Sequence, residues 1–420
     1  MSVWTGLEWL NTAVGLLAIA GLLITVANFA YVAACHLYFR PHGTPAAPDI
    51  ADAGLPHVLL QIPIYNEAAV AEQAAVAAVA LDWPRDRLHV QILDDSTDHT
   101  PAIVATAVGR LRAAGHDIVH VRRDNRVGFK AGALSAGLAI SDAPFVAMLD
   151  ADFRAPASWL RGAVAVLEHD PRAAFAQQRC DFRSREDNAL TRVQQLMQDA
   201  HYMVEQAARH GRGVPMPANG TATVWRRAAI DDAGGWSGDT LTEDLDLTLR
   251  VYLRSWHAAL LLEPPCVGEM PARLDDWRTQ QSRWSSGFLQ VTRKLLPALW
   301  HSDLGVEAKL ATSLLLLVQL FFPSIVLLGV TILIGAALQG GFAQYREPAV
   351  IGAGLGIALL LAMTLPPYLA LRRGSIARYA VTLIKLPFFM IHLGLANAVE
   401  ILTAALGRQR AFAVTPKQGH

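Results

Sequence analysis

Four short runs in this chain carry residue types suited to chemistry at a phosphate or a sugar hydroxyl. Asp94-Asp95-Ser96-Thr97-Asp98 follows the apolar run Val90–Leu93. Carboxylates at a strand end can accept hydrogen bonds from a base or a ribose, and the same residues also suit a turn that caps the next helix. Asp150-Ala151-Asp152 follows Phe145–Leu149. Two carboxylates at i and i+2 suit a hard cation, Mg2+ or Mn2+, which takes one or two carboxylates and completes its shell with substrate phosphates. The rival reading is an aspartyl-phosphatase motif. That nucleophile stands in a first strand before Thr or Val, whereas here Phe153-Arg154 follows and three strand candidates come before. Thr242-Glu243-Asp244 opens Leu245–Ser255. It reads as a helix N-terminus with acids in its first turn, and equally as a carboxylate placed to act as general base toward a hydroxyl. Gln280-x-x-Arg283-Trp284 pairs a planar guanidinium, suited to phosphate oxygens, with an indole face on which a sugar ring can stack. An amphipathic interfacial helix would favour the same residues.

These runs need a scaffold that gathers strand ends. Strand candidates are His57–Ile64, His89–Leu93, Asp117–Val121, Phe145–Leu149 and Ala173–Gln178, with helical stretches Glu67–Ala80, Thr100–Ala114, Lys130–Ile140 and Ala157–Glu168 between them. Strands alternating with helices of this length indicate βαβ units and a mostly parallel sheet. Ligands of such sheets bind beyond the carboxyl ends of the strands, where the acidic runs fall. Gly128, Gly132 and Gly137 form no dinucleotide fingerprint and no Walker A run is present, which argues against an ATP-driven transporter. The 14 His show no ligand spacing, and His201 and His210 read as surface or core residues.

The 420 residues include 36 basic and 36 acidic side chains, 53% hydrophobic residues and only 17% charged ones. Soluble domains carry about 25% charged residues. A net charge of zero without a basic run argues against nucleic acid as a partner. Three cysteines without a CxxC spacing exclude a disulfide scaffold and a zinc ribbon. The apolar excess lies at the two ends. Trp9–Phe39 is uncharged and long enough to span a bilayer, and Met1–Leu10 lacks the basic residues of a signal peptide, so residues 1–40 read as a retained anchor. Residues 41–56 read as a linker, 57–272 as the α/β domain and 273–307 as an amphipathic interfacial segment. Residues 308–371 hold two spans: Ala311–Leu338, whose excess length a tilt or a kink at Pro323 could absorb, and Ala349–Leu371. In 372–420, Tyr379–Leu406 is flanked by Arg and Lys on both sides, so it reads as interfacial or re-entrant. Three spans, an outside N-terminus and a cytoplasmic catalytic domain follow. Only five of the 36 basic residues are Lys, which fits a bacterial chain and hence a multi-pass protein of a cell inner membrane.

Taken in order, Gln61-Ile62-Pro63-Ile64-Tyr65-Asn66-Glu67, the two DxD-like runs, Thr242-Glu243-Asp244 and Gln280-Gln281-Ser282-Arg283-Trp284 resemble the motif series of membrane-bound family 2 glycosyltransferases. Within them the similarity is closest to the cellulose-synthase-like A group, the plant glucomannan synthases. Leu81-Asp82-Trp83-Pro84-x-Asp86-Arg87, Asn125–Leu134 and Asn219-Gly220-Thr221-Ala222 match that group too, so the resemblance runs from Val58 to Trp284. Phe412–Lys417 resembles the FxVTxK gating loop of bacterial cellulose synthase. The resemblance implies an α/β GT-A fold and inverting transfer of a hexose from a nucleotide sugar to a growing β-linked glycan, with UDP-glucose as first donor and GDP-mannose as second. By motif it implies that Asp94, Asp95, Glu67, Lys130, Asp150, Gln280 and Arg283 bind the nucleotide sugar. Asp150 and Asp152 would hold Mg2+ or Mn2+. Asp244 would be the base with Glu243 beside it, and Trp284, Asn219, Gly220 and Thr221 would meet the acceptor.

Two departures bear on the product. Many processive synthases carry cysteine where this chain has Asn219-Gly220-Thr221, and the later spans that complete a polymer channel do not follow Lys417. A polymerase would then need a homo-oligomer or an export partner. A single-addition enzyme that makes a membrane glycolipid, of ceramide or diacylglycerol type, would need neither. A silent membrane scaffold is disfavoured because Asp152, Asp244 and Arg283 are all present.

Overall fold

The computed structural model describes residues 3–39, 43–183 and 187–405. The expected gating-type loop, Phe412–Lys417, lies outside the described residues. A long helix, α1 (Val3–Phe39), leads into a seven-stranded sheet: β1 (Val58–Ile64), β2 (Leu88–Asp94), β3 (Ile118–Arg122), β4 (Phe145–Met148), β5 (Ala173–Arg183), β6 (Thr223–Arg226) and β7 (His257–Glu269). The spatial order is β3-β2-β1-β4-β6-β5-β7. All neighbours pair parallel except β6, which runs antiparallel to both β4 and β5. Helices α2 (Ala68–Val79), α3 (Thr100–Ala113), α4 (Phe129–Leu138) and α5 (Trp159–His169) link the first five strands.

Period-two alternation divides the core between the two faces of the sheet. Val58, Leu60, Ile62 and Ile64 of β1 pack with α2, α3 and α5, and Leu59 and Leu93 pack with α4 on the other side. Burial on both faces is why these strands read as nearly continuous apolar runs. The sequence pattern shows β1 to β5 but not the last two strands. β6 has only four residues, and β7 contains Glu263-Pro264-Pro265. Proline is tolerated there because β7 is the outermost strand of the sheet.

One polar pair is buried in this core. Gln61 and Gln91 are register partners on β1 and β2. The amide of Gln61 donates to Gln91 Oε1 (3.1 Å) and to the Leu134 carbonyl (3.1 Å), and that of Gln91 donates to the Gly137 carbonyl (2.9 Å). Two sheet glutamines thus hold α4 by its own carbonyls, and α4 carries Lys130 at its other end. A β-carbon on Gly137 would collide with both glutamine side chains.

After β5 come α6 (Ala189–Ala200), a π-helical turn (His201–Gln206) and α7 (Ala207–Gly211), and after β6 come α8 (Arg227–Asp232) and α9 (Glu243–Leu253). Beyond β7 lie α10 (Leu274–His301), α11 (Val306–Leu317), α12 (Phe321–Gln339), α13 (Arg346–Ala370) and α14 (Ile376–Ala405). The span expected at Ala311–Leu338 changes to a 3-10 turn at Val318–Leu320, just before Pro323. Pro323 sits in the first turn of α12, where its missing N–H leaves no intrahelical bond unmade.

Among the described residues, four helical stretches are long and apolar enough to cross a membrane: Gly6–Phe39, Val306–Gln339, Ala343–Ala370 and Ile376–Ala404. The sequence pattern counted three. α14 is one unbroken helix of 30 residues, about 45 Å long, so the chain does not turn back within it. Its contacts are informative. Arg373, just before it, pairs with Asp181 and Asp199 of the α/β domain (2.6 and 2.7 Å). Further along, Phe389 packs on Trp277, Ser282 and Ser286 donate to Asn397 and Glu400, and Arg293 donates to the Ala404 carbonyl. Both ends of α14 therefore lie against the α/β domain or the helix α10 attached to it.

The buried glutamine pair makes a stability prediction. Gly137→Val should lower the apparent melting temperature of the full chain by an amount corresponding to about 1–3 kcal/mol, the usual cost of overpacking. Gly162→Ala on the exposed face of α5, where a β-carbon meets nothing within 4 Å, should be neutral or stabilising by up to about 1 kcal/mol.

Candidate active site

Parallel strands deliver their C-terminal ends to one edge. Glu67 follows β1, Asp94 ends β2 with Asp95 next, and Asp150 follows β4. Because β6 runs the other way, the loop before it, Asn219-Gly220-Thr221, arrives at the same edge.

That loop gathers the other residues. The Gly220 carbonyl accepts from Lys130 Nζ (2.7 Å), and the Asp150 N–H donates to Thr221 Oγ1 (2.9 Å). Lys130 Nζ also donates to Asp150 Oδ1 (2.6 Å) and lies 3.8 Å from Glu243 Oε1. Gly220 has φ +68°, and a β-carbon built there would stand 2.9 Å from Asp244 Oδ2. The loop is itself pinned from below: the Asn219 N–H donates to Gln177 Oε1 (2.9 Å), and Gln177 Nε2 donates to the Thr221 carbonyl (3.1 Å).

Glu243 and Asp244 open α9, where the helix dipole favours negative charge. Thr242 occupies the cap position but its side chain makes no capping bond. It packs instead on α10, where a β-carbon on Gly287 would overlap it. Gln290 accepts from the Leu241 N–H (2.7 Å), and Lys294 pairs with the fully buried Asp246 (2.7 Å). These contacts seat α10, with its Gln280, Arg283 and Trp284, against the start of α9, and all three side chains are half-buried.

The electrostatics follow from burial and this crowding. Burial pushes the Asp244 carboxyl up to about 7, and the neighbouring Glu243 adds to the rise. The Leu245 N–H, Lys130 and Arg283 pull it back. Burial alone would lower Lys130, but Asp150, Glu243 and Asp244 outweigh it and hold the ammonium above its usual range.

The acids at the end of β2 are held differently. The Asp94 side chain is fully buried; its Oδ1 accepts from the Ser96 N–H and its Oδ2 faces His120 Nε2, both at 2.8 Å. Burial would raise its carboxyl, but His120 and Ser96 keep it below the usual range. Asp94 thus braces the loop that carries Asp95. Asp95 is held by a two-pronged ion pair with Arg123. Arg126 stacks on Tyr65, its guanidinium carbon 3.3 Å from the ring centroid. The sequence reading missed His120, Arg123 and Gln177. A usable signal was the basic run Arg122-Arg123 at the end of β3, beside two acids at the end of β2.

Among the described residues no group of three or more His, Cys, Asp and Glu side chains could hold a metal alone. Asp150 keeps about a third of its side chain exposed (35%), and Asp152 is nearly buried. Two hard carboxylate donors with one partly open suit an ion that completes its shell with phosphate oxygens.

Two outcomes test this geometry. Gly220→Ala puts an alanine in the left-handed region, at about 1–2 kcal/mol, and presses on Asp244. Turnover should fall by more than about tenfold, with only a modest loss in melting temperature. Asp244→Asn tests the raised carboxyl through stability. Its ordinary value is 3.8 and its folded value about 7, so the stability contributed by the protonated acid is full below pH 4 and lost as pH rises through 7. Asparagine cannot ionise. The variant's melting advantage over wild type should grow from about pH 4 and level off above about pH 7. An advantage that is absent at pH 8 would contradict the burial argument.

Residues 145–371 match the family model described as "Glycosyl transferase family group 2". "Probable glucomannan 4-beta-mannosyltransferase 6" of Oryza sativa subsp. japonica is 41% identical over 247 residues, covering 58% of this chain and 43% of the relative. "Glucomannan 4-beta-mannosyltransferase 2" of Arabidopsis thaliana is 39% identical over 252 residues, covering 59% and 47%. The chain thus spans about half the length of these relatives. Among solved structures, the mannosyltransferase PcManGT from Pyrobaculum calidifontis, in complex with GDP-Man and Mn2+, superposes with a TM-score of 0.63 at 20% identity, over 93% of this chain and 99% of that one. The fold is the GT-A arrangement with apolar helices at both ends, as the motif series implied, and the chain belongs to glycosyl transferase family group 2.

Proposed function

We propose that this chain is a membrane-embedded, metal-dependent, inverting hexosyltransferase that extends a β-linked glycan, with GDP-mannose as first donor and UDP-glucose as second. That reverses the donor order expected from the sequence. The reversal is supported by the mannosyltransferase names of the relatives and by the GDP-Man of PcManGT. One observation carries the reading: the 219–221 loop closes on Lys130, Asp150 and Asp244 together, placing a cation, a metal-type carboxylate and a buried acid around one point.

Asp244 takes the proton from the acceptor hydroxyl, whose oxygen forms the new bond to the anomeric carbon as the bond to the diphosphate breaks. A base with a pKa near the working pH suits that transfer. Lys130 and Arg283 receive the negative charge that develops on the leaving diphosphate. Asp150 and Asp152 would hold Mg2+ or Mn2+, which supplies further charge neutralisation at the diphosphate when bound. Glu243 sets the charge beside Asp244. Asp95 and Glu67 line the nucleotide side, Gln280 the diphosphate side, and Trp284 with Asn219-Gly220-Thr221 the acceptor side.

The division into an anchor (1–40), linker (41–56), catalytic domain (57–272), interfacial segment (273–307), two spans (308–371) and a C-terminal interfacial segment (372–420) belongs to the same proposal. The contacts of α14 support its last part, since a helix tied to the α/β domain side at both ends does not carry one end across a bilayer. Catalysis then faces the cytoplasm, where nucleotide sugars are made, and a bacterial inner membrane rests on composition alone. An oligomer or export partner would serve a polymeric product.

The test is a product analysis of the full chain in lipid with Mn2+ and labelled GDP-mannose or UDP-glucose. The reading predicts label from GDP-mannose in an ethanol-insoluble ladder that a β-mannanase degrades. One discrete species in the organic phase would instead mean a glycolipid synthase, and transfer from neither donor would refute the activity. Asp244→Asn should abolish transfer while leaving donor binding nearly intact. Asp152→Ala should weaken donor binding, most of all at low Mn2+.

A further inference from the structure

The helical segment after β5 widens at one place. Side chains five residues apart on an α-helix point about 140° away from each other. In the π-helical turn His201–Gln206 the bonding runs i to i+5, which brings its first and last side chains toward one face. Both reach the same atom: Asn219 Oδ1 lies 3.1 Å from His201 Nε2 and 3.0 Å from Gln206 Nε2.

The direction of these bonds is set by a backbone group. Gln206 Nε2 also donates to the Pro217 carbonyl (2.9 Å), so the Gln206 atom there is the nitrogen. The Asn219 atom facing it must then be the oxygen, and His201 Nε2 must carry a hydrogen. On the other side, His201 Nδ1 faces Glu205 Oε2 (3.0 Å), a second acceptor. Between these two acceptors, the ring has both nitrogens placed to donate. Burial would lower its pKa, but Glu205 outweighs burial and holds it above the usual range. Glu205 in turn accepts from Arg209 (3.4 Å), a fully buried side chain that donates to Asn28 of α1 (2.7 Å) and to the Ala311 carbonyl of α11 (3.1 Å).

We infer that His201, fixed between Glu205 and Asn219, is a positioning residue: it holds the Asn219 amide, and with it the 219–221 loop, against Lys130, Asp150 and Asp244. The route continues through Glu205 and Arg209 to α1 and α11, so loop geometry depends on how the apolar helices dock. The catalytic consequence rests on the proposed function, whereas the positioning itself does not.

The experiment uses the full chain in lipid nanodiscs and two readouts: amide hydrogen exchange over residues 217–223, and kcat/KM for transfer from GDP-mannose with Mn2+. His201→Leu, which removes both donors, should raise loop exchange and lower kcat/KM by about tenfold or more. His201→Gln, which keeps one donor within reach of Asn219, should stay within about threefold of wild type in both readouts. In an Asn219→Ala background, His201→Leu should add less than about threefold, because its contact with the loop is already gone. If the Leu variant does not fold, His201→Asn, polar but too short to reach, takes its place. Fully multiplicative effects in the double variant, or a Gln variant as impaired as the Leu variant, would overturn the inference. If wild type transfers no sugar, the proposed function fails, and the exchange cycle still decides the positioning.

Discussion

Three carboxylates, Asp150, Glu243 and Asp244, act on a single ammonium group, that of Lys130, at the C-terminal edge of the sheet. In a buried place, negative charges at this spacing repel strongly unless cations or protons balance them. Lys130 offsets part of the charge, and Arg283 contributes from α10. Burial, and Glu243 after it, still leave the Asp244 carboxyl raised to about 7. Three carboxylates thus face one ammonium, a condition that a divalent ion would relieve, and one of the acids titrates near neutral pH.

The rest of the fold serves to keep that charge balance in place. Gln61 and Gln91 hold α4, and so Lys130, from inside the core. The antiparallel direction of β6 brings a loop from the middle of the chain to the edge where β1, β2 and β4 end. Gly220 lets this loop approach Asp244 more closely than any side chain would allow. Helix α10 closes the arrangement from the apolar side, pinned to α9 through Thr242, Gln290 and Lys294. Movement of the apolar helices would therefore be transmitted to the site through α10 and through the Arg209 route.

Much of this was legible in the sequence, because its signals were local. Runs such as Val58–Ile64 and Phe145–Met148 are apolar on both faces, and acids follow them at the strand ends where parallel sheets bind ligands. What escaped were features set by partners distant in the chain. Four residues of β6 carry too little pattern to be seen alone, and the prolines of β7 are acceptable only because it became an edge. Asp94 looked like its neighbour Asp95, but one faces His120 inside the domain and the other Arg123. His201 carried no spacing signal at all, since its role depends on a widened helical turn. α14 read as interfacial or re-entrant from its flanking charges, a signal that says nothing of its continuity.

In the proposed mechanism the ionisation of Asp244, set by burial and by Glu243, limits the transfer step. The direct measurement is the pH dependence of kcat/KM for wild type and for Glu243→Gln. The account predicts an acid limb near pH 7 in wild type, where the carboxyl sits at about 7, and a shift of that limb to lower pH once the neighbouring negative charge is removed. A limb at the ordinary carboxylate range, or one that Glu243→Gln leaves in place, would contradict it.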